Sequence, residues 1–162
     1  MSAVLSAVDQ AYEEAARVLH TGRRFLVTGH RNPDGDALGS ALGLALAATD
    51  AGKDVSVVMR DGFSSAYSFL PGIERVVVTD ALPADWPDAY DAAFAMECPE
   101  PDRIGFPLLA PSSRAVVVNV DHHPGNTNHG NVNLVDLPAA ATGEIVADLL
   151  DRLEWPLTPA VA

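Results

Sequence analysis

The stretch that decides the fold is RFLVTGHRNPDGD, residues 24–36. It opens with an apolar run, Arg24 to Thr28, that predicts a short buried strand. The loop that follows carries one imidazole, His30, and two carboxylates, Asp34 and Asp36. A mixed set of nitrogen and oxygen donors suits manganese, magnesium or zinc, so the sequence indicates metal binding at the end of a strand.

The rest of the chain alternates predicted helices with predicted strands. Helices are expected over residues 3–19, 36–51 and 142–153, and strands over 54–59, 75–79, 92–96, 115–120 and, as a short edge strand, 131–135. Residues 81–91 are expected to form a surface loop. This alternation predicts an α/β fold with a mainly parallel sheet and helices on both faces.

Polar side chains follow three of the predicted strands. They are His30, Asp34 and Asp36 after the first strand, Glu97 and Cys98 after the fourth, and Asp121, His122 and His123 after the fifth. Ligands of open parallel sheets bind at the carboxyl ends of the strands. These side chains are therefore expected to line one crevice, where they would form the floor of a two-metal site.

Composition limits the class of protein. The chain has 162 residues, enough for one domain, and its formal charge of −12 argues against a protein that wraps long nucleic acid. No apolar run reaches the roughly 18 residues needed to span a bilayer, which predicts no membrane association. The N-terminus does not resemble a signal peptide, and the single cysteine, Cys98, fits a reducing compartment. A cytoplasmic location is expected.

Two motifs resemble those of the DHH phosphoesterase superfamily. The first is GHRNPDGDALGS, Gly29 to Ser40, and the second is Asp121-His122-His123, which matches the motif that names the family. The following Asn126-Thr127-Asn128 is typical of the nano-RNase and phosphoadenosine-phosphate phosphatase subgroup. The resemblance runs over essentially the whole chain and corresponds to the N-terminal DHH domain.

The resemblance implies a centre of two divalent ions, usually manganese, with magnesium or another divalent ion as an alternative. His30 and Asp34 would bind one ion, and Asp36 and His122 the other. The family places a bridging Asp at a strand end, and the matching residue here is Glu97. The extra methylene of Glu displaces the carboxylate by about a bond length, and catalytic geometry can be sensitive to such shifts.

The same resemblance implies the catalytic roles and the substrate. His123 would contact the phosphate, Asp121 would orient the histidines, and Arg103 would add a further donor. The expected reaction is hydrolysis of short oligonucleotides or nucleotide phosphates by metal-activated water. Cyclic dinucleotides and pyrophosphate remain open as substrates, and exposed edge strands are compatible with a homodimer.

The end of the sequence predicts an unfinished element. Thr158 and Pro159 read as the start of a helix with only three residues left. The family normally supplies another Asp ligand and a glycine-rich substrate-binding domain beyond this point, and residues 1–162 contain neither. The chain is therefore expected to be a DHH catalytic domain truncated at its C-terminus.

Structural alternatives exist for several of these residues. Asp34 and Asp36 could serve only as turn and helix-capping residues. Cys98 could be a nucleophile, although a buried thiol is favoured because no base lies nearby in sequence. His129 is expected at the surface. A different class of function is a non-catalytic metal- or nucleotide-binding module, left by truncation or by the presence of Glu97.

Overall fold

The computed structural model describes residues 5–108 and 114–162. The strands are β1 Arg24–Gly29, β2 Asp54–Met59, β3 Val76–Val78, β4 Ala92–Met96, β5 Val116–Asp121 and β6 Val132–Val135, and the α-helices are α1 Ala7–Thr21, α2 Gly35–Asp50 and α3 Thr142–Arg152. Within the described residues the strands form one sheet in the order β3-β2-β1-β4-β5-β6, with parallel pairing throughout. The predicted α/β class is confirmed.

The element boundaries follow local signals. The first helix begins at Ala7 because the Ser6 hydroxyl accepts a 3.1 Å hydrogen bond from the backbone N–H of Asp9. Ala3 and Val4, which were also predicted to be helical, lie outside the described residues. The predicted helix start after Thr158 is a turn, in which the N–H groups of residues 161 and 162 both donate to the Thr158 carbonyl.

The three α-helices pack against the same face of the sheet. Their buried side chains share one hydrophobic core with alternate residues of the strands, including the fully buried Phe25 of β1 and Phe94 of β4. These two rings meet edge to face with their centroids 5.7 Å apart. Deleting either ring would leave a cavity at the centre of the sheet, at a cost of about 3–5 kcal/mol.

The second face is covered mainly by loops. Tyr90, Ile104 and Phe106 pack there against the other set of strand residues, together with the short 3₁₀ helix Pro101–Arg103. Helices on both faces were predicted, but in the part of the chain that the structure describes the three α-helices share one face, and only this 3₁₀ helix lies on the other. The predicted surface loop over residues 81–91 contributes Trp86 to this layer.

The two edges of the sheet differ. The predicted edge position of β6 is confirmed. The opposite edge is β3, where Val77 and Val78 are 57% and 48% exposed. Exposed valines on an unpaired edge are compatible with association, and the homodimer stays a prediction. Among residues 5–108 and 114–162, no helix combines the length and the apolar character that crossing a membrane requires.

The strand register aligns the polar residues. Gly29 of β1 pairs with Met96 of β4, and Met96 pairs with Val120 of β5. The next residue along each strand is His30, Glu97 or Asp121. Three adjacent central strands therefore deliver these side chains side by side at the carboxyl edge of the sheet, as the rule for parallel sheets predicts.

Candidate metal centre

Glu97 lies at the centre of the polar cluster. It follows β4 directly, is 3% exposed, and has a φ of 62°. The left-handed region costs a residue with a side chain roughly 1–2 kcal/mol. The backbone N–H of Glu97 is held by the Val120 carbonyl at 3.0 Å. Strain of this kind concentrates at functional sites, where the surrounding structure enforces it.

Two groups of potential metal ligands share the Glu97 carboxylate. One group is His30, Asp34 and Glu97, and the other is Glu97, His122 and His123, with the ligand atoms of each group within 4.8 Å of one another. The Nε2 atom of His122 lies 3.2 Å from Glu97 Oε1 and 3.8 Å from an oxygen of Asp36. The Glu97 carboxylate is therefore common to both groups of potential ligands.

The ring orientation of two histidines suits metal binding. His30 Nδ1 is 2.7 Å from the Arg31 carbonyl, and His122 Nδ1 is 3.0 Å from the Ala139 carbonyl. Because a carbonyl oxygen can only accept, each Nδ1 carries the proton and donates it. The Nε2 atoms face the carboxylates, and Nε2 of His30 lies 3.7 Å from Asp34 Oδ1. Backbone partners of this kind fix the rings of metal-binding histidines.

The two aspartates of the first loop also stabilise helices. Asp34 is the N-cap of α2, where its Oδ1 accepts hydrogen bonds from the N–H groups of Asp36 and Ala37 at 3.1 and 3.0 Å. Asp36 accepts from the N–H groups of Thr142 and Gly143 at 2.8 and 3.0 Å, at the start of α3. The capping alternative is therefore correct for both residues, but it does not exclude metal binding, because each carboxylate also borders the cluster.

A second network orients His123. Asp121 is completely buried and accepts a 2.8 Å hydrogen bond from His123 Nδ1 through Oδ1. Its other oxygen accepts a 2.6 Å bond from the Asn126 amide, which also reaches Asn119 Oδ1 at 2.7 Å. The bond to Asp121 raises the pKa of the His123 imidazole, in opposition to partial burial. His123 Nε2 lies on the other side of the ring from this hydrogen bond.

The electrostatics of the cluster favour a bound cation. Burial raises the pKa of Glu97, the Thr142 hydroxyl opposes the shift by donating a 2.6 Å bond to Oε1, and the nearby Asp36 carboxylate raises the pKa further. Carboxylates that disfavour one another's ionisation are compensated by a divalent ion. The donor set of imidazole nitrogens and carboxylate oxygens fits manganese, magnesium or zinc.

The comparisons with known proteins identify the family. The profile described as the DHH family, N-terminal domain, matches residues 24–162. The chain belongs to the DHH family. This DHH domain is 36% identical over 129 residues to the bifunctional oligoribonuclease and PAP phosphatase NrnA of Thermus thermophilus. The match covers 78% of this chain and 36% of the relative, so the chain spans about a third of the length of that protein.

Solved structures show the same fold at low sequence identity. An exopolyphosphatase-related protein from Bacteroides fragilis superposes with a TM-score of 0.77 at 19% identity, covering 94% of this chain and 46% of that one. RecJ from Thermus thermophilus, in complex with Mn²⁺, gives a TM-score of 0.54 at 17% identity and covers 95% and 22% of the two chains. At these identities both comparisons show a shared fold alone.

The structure brings most of the predicted site residues together. His30, Asp34, Asp36, Glu97, Asp121, His122 and His123 all lie at the one cluster described above. Arg103 is different because it lies on the exposed side of the 3₁₀ helix, where its backbone carbonyl accepts a hydrogen bond from the Arg31 N–H at 2.7 Å. Its role as a phosphate donor stays a prediction.

The predictions for Cys98 and His129 have opposite outcomes. Cys98 is completely buried, and burial raises the pKa of its thiol, so a structural thiol is confirmed and a nucleophile is disfavoured. The prediction of a surface position for His129 is wrong. Its ring is half-buried, with Nε2 2.8 Å from the Cys98 carbonyl, and it helps to fix the loop after β5.

Sequence reasoning missed the role of Thr142. It was expected to mark a helix start, which is confirmed, but its hydroxyl also donates to Glu97 and its N–H to Asp36. The available signal was weak: a threonine opening a helix, followed two residues later by Glu144, which indeed accepts from the Ala140 N–H at 2.7 Å.

Proposed function

We propose that this chain is the catalytic domain of a phosphoesterase that hydrolyses short oligonucleotides or nucleotide phosphates with two divalent ions, preferably manganese. The observation that carries the proposal is the position of Glu97, whose buried carboxylate belongs at once to two groups of side chains that could hold a metal ion. Membership of the DHH family and the similarity to an oligoribonuclease and PAP phosphatase support a phosphoesterase.

The roles of the residues follow from their contacts. His30 and Asp34 would hold one ion and His122 and Asp36 the other, with Glu97 between them. A pair of ions held by these residues would supply Lewis acidity toward the phosphoryl oxygens and would lower the pKa of a bound water. The backbone carbonyls that orient His30 and His122 hold the two rings with Nε2 toward the carboxylates, as metal binding would require.

His123 is proposed to donate a hydrogen bond to the phosphate of the substrate. Its Nδ1 proton is engaged by Asp121, which favours the positively charged imidazolium and aims Nε2 away from the sheet. Charge-assisted donors of this kind stabilise negative charge as it develops on phosphoryl oxygens. Arg103 is proposed to add a second donor at the exposed side of the crevice.

The proposal is tested first by metal binding. We expect two Mn²⁺ per chain by titration calorimetry and, in the EPR spectrum, the exchange coupling of two ions that share a carboxylate. Glu97→Gln should abolish the coupling and weaken at least one binding event. Glu74→Gln is the matched control. Glu74 is exposed and lies just before β3, the outermost strand, at the end of the strand that is remote from the cluster.

Hydrolysis is the second readout. With Mn²⁺, the chain is expected to cleave diadenylate or to release phosphate from adenosine 3′,5′-bisphosphate, and Glu97→Gln should lose this activity. Coupled manganese binding without hydrolysis of either substrate would favour the non-catalytic binding module. Failure to bind manganese would contradict the proposed function and the metal-binding form of the module.

A further inference from the structure

Asn119 is a completely buried polar residue inside strand β5. Its register partner on β4 is Ala95, so its side chain lies beside the last residues of that strand. Burial of an amide is costly unless its donors and its acceptor are paired. The partners of Asn119 therefore indicate what the residue does at this position.

Both sides of the Asn119 amide are paired. The nitrogen donates to the Cys98 carbonyl at 2.9 Å and to the Ala95 carbonyl at 3.4 Å. The oxygen accepts a 2.7 Å hydrogen bond from the Asn126 amide nitrogen, while the Asn126 oxygen accepts from the Asn128 N–H at 2.8 Å. Because carbonyl oxygens only accept, the Asn119 amide has a single orientation, with its nitrogen toward the end of β4.

The two carbonyls that Asn119 contacts lie on either side of Glu97. Ala95 precedes Glu97 by two residues, and Cys98 follows it directly. The chain bends at Glu97, where φ is 62°. A side chain that bonds to both ends of this bend stabilises the left-handed conformation between them.

Other contacts act on one side of the bend each. The Glu97 N–H donates to the Val120 carbonyl at 3.0 Å, and His129 Nε2 lies 2.8 Å from the Cys98 carbonyl. The Asn119 amide joins the two sides from the neighbouring strand. Backbone strain persists only where the surrounding structure enforces it, and Asn119 supplies part of that enforcement.

We propose that Asn119 is a positioning residue for the metal centre. Its amide holds the bend that presents the Glu97 carboxylate to the other members of both groups of potential metal ligands. This role rests on the proposed function, because the bend matters to the reaction only through metal binding by Glu97. Asn119 itself is expected to contact neither metal nor substrate.

Asn119→Leu is the test variant. Leucine has a similar volume but cannot donate to either carbonyl, so Glu97 should lose its fixed position. In titration calorimetry with Mn²⁺, at least one binding event should weaken about tenfold. Asn119→Ser, whose side chain is too short to reach the carbonyls, should show the same loss, and it keeps the test decisive if the leucine variant does not fold.

Cys98 provides a readout that needs no metal. It is the single cysteine of the chain, it is completely buried, and its carbonyl is one of the two that Asn119 holds. Loss of the Asn119 amide should allow this segment to open locally while the rest of the sheet stays folded. Dithionitrobenzoate in EDTA should therefore label Cys98 about tenfold faster in Asn119→Leu than in the unmodified chain.

Two controls separate local opening from a general loss of stability. Val118→Ala leaves a cavity in the core on the helical side of β5 and removes no bond to the bend. Thr28→Val removes a hydroxyl that is completely buried, has no hydrogen-bond partner among the described residues, and pairs with Ala95 from the opposite side to Asn119. Both variants should keep the manganese affinity and should label no faster than their unfolding free energies in urea account for.

Two results would overturn the positioning role. One is an unchanged manganese affinity in both Asn119 variants. The other is labelling of Cys98 in Asn119→Leu that is no faster than in Val118→Ala, after correction for their unfolding free energies. Failure of the proposed function is distinct, since it shows as the absence of coupled manganese or of hydrolysis in the unmodified chain.

Discussion

The Thr142 hydroxyl donates a 2.6 Å hydrogen bond to Glu97 Oε1, and both side chains are buried. The N–H of the same residue donates to Asp36 Oδ2 at 2.8 Å. One residue at the start of α3 therefore fixes two of the carboxylates that are proposed to bind metal. These two contacts join the start of α3 to the start of α2 and to the residue after β4, and they make Thr142 a positioning residue.

Replacing Thr142 by Val should weaken manganese binding while leaving the fold intact. Valine has nearly the same shape, so the change removes only the hydroxyl and leaves Glu97 Oε1 without that partner. We expect a loss of about 0.5–1.5 kcal/mol in metal affinity, roughly two- to tenfold. Titration calorimetry with Mn²⁺ measures it. Thr142→Ser, which keeps the hydroxyl, should retain most of the affinity, and equal losses in both variants would contradict the positioning role.

Asp36→Ala should destabilise the protein even without metal. Asp36 caps the start of α3 in place of Ala141, the N-cap residue, whose side chain makes no capping bond. Loss of a cap typically costs about 1 kcal/mol, and the relief of repulsion with Glu97 will offset part of it. Urea unfolding in EDTA gives the value. Asp88→Ala, a change at an exposed loop residue, should have little effect. Equal unfolding free energies for the two variants would argue against the cap.

The stabilisation by Asp91 should depend on pH. Its carboxylate accepts bonds from the N–H groups of Arg23 and Arg24 at 2.7 and 3.0 Å, and these bonds lower its pKa. A lowered pKa in the folded state means stabilisation that is complete above the unfolded pKa, about 4, and is lost as pH falls through the folded value. Asp91→Ala should therefore reduce the unfolding free energy at pH 7 and have a smaller effect near pH 3. A pH-independent difference would show that the charge is not involved.

Cys98 should be unreactive in the folded protein. The thiol is completely buried and its pKa is raised by that burial, so little thiolate is available. A thiol reagent such as dithionitrobenzoate should label it only after denaturation. Cys98→Ala should keep manganese binding and hydrolysis. Rapid labelling of the native chain, or loss of hydrolysis with metal binding intact, would reopen the possibility of a catalytic thiol.

The sequence was informative wherever the signal was local. The apolar runs located the strands, and the loop after Thr28 was correctly placed between a strand and a helix. The motifs led to the correct family. Contacts between distant segments were not accessible in this way. The bond from the Thr142 N–H to Asp36 joins residues 106 positions apart, and no local pattern indicates it.

Burial was harder to predict than element type. The run before Thr79 is as apolar as the central strands, yet Val77 and Val78 are half-exposed because their strand lies at the edge of the sheet. The predicted surface position of His129 was wrong for the opposite reason. It lies in a polar loop, but the Cys98 carbonyl at the end of a neighbouring strand offers it an acceptor. Strand order, which sequence periodicity does not give, determines both outcomes.

Asp34 and Asp36 each cap a helix and are also proposed to bind metal, which bears on how this domain can change during evolution. Both aspartates would remain under selection for folding in a descendant that no longer performed catalysis, because each completes a helix N-terminus. Glu97 completes no helix N-terminus, so selection for folding would not retain it in the same way. Its left-handed backbone favours replacement by Gly or Asn once the carboxylate is not needed. Retention of an acidic residue at this one position is therefore a better marker of a working site than retention of the more conspicuous aspartate pair.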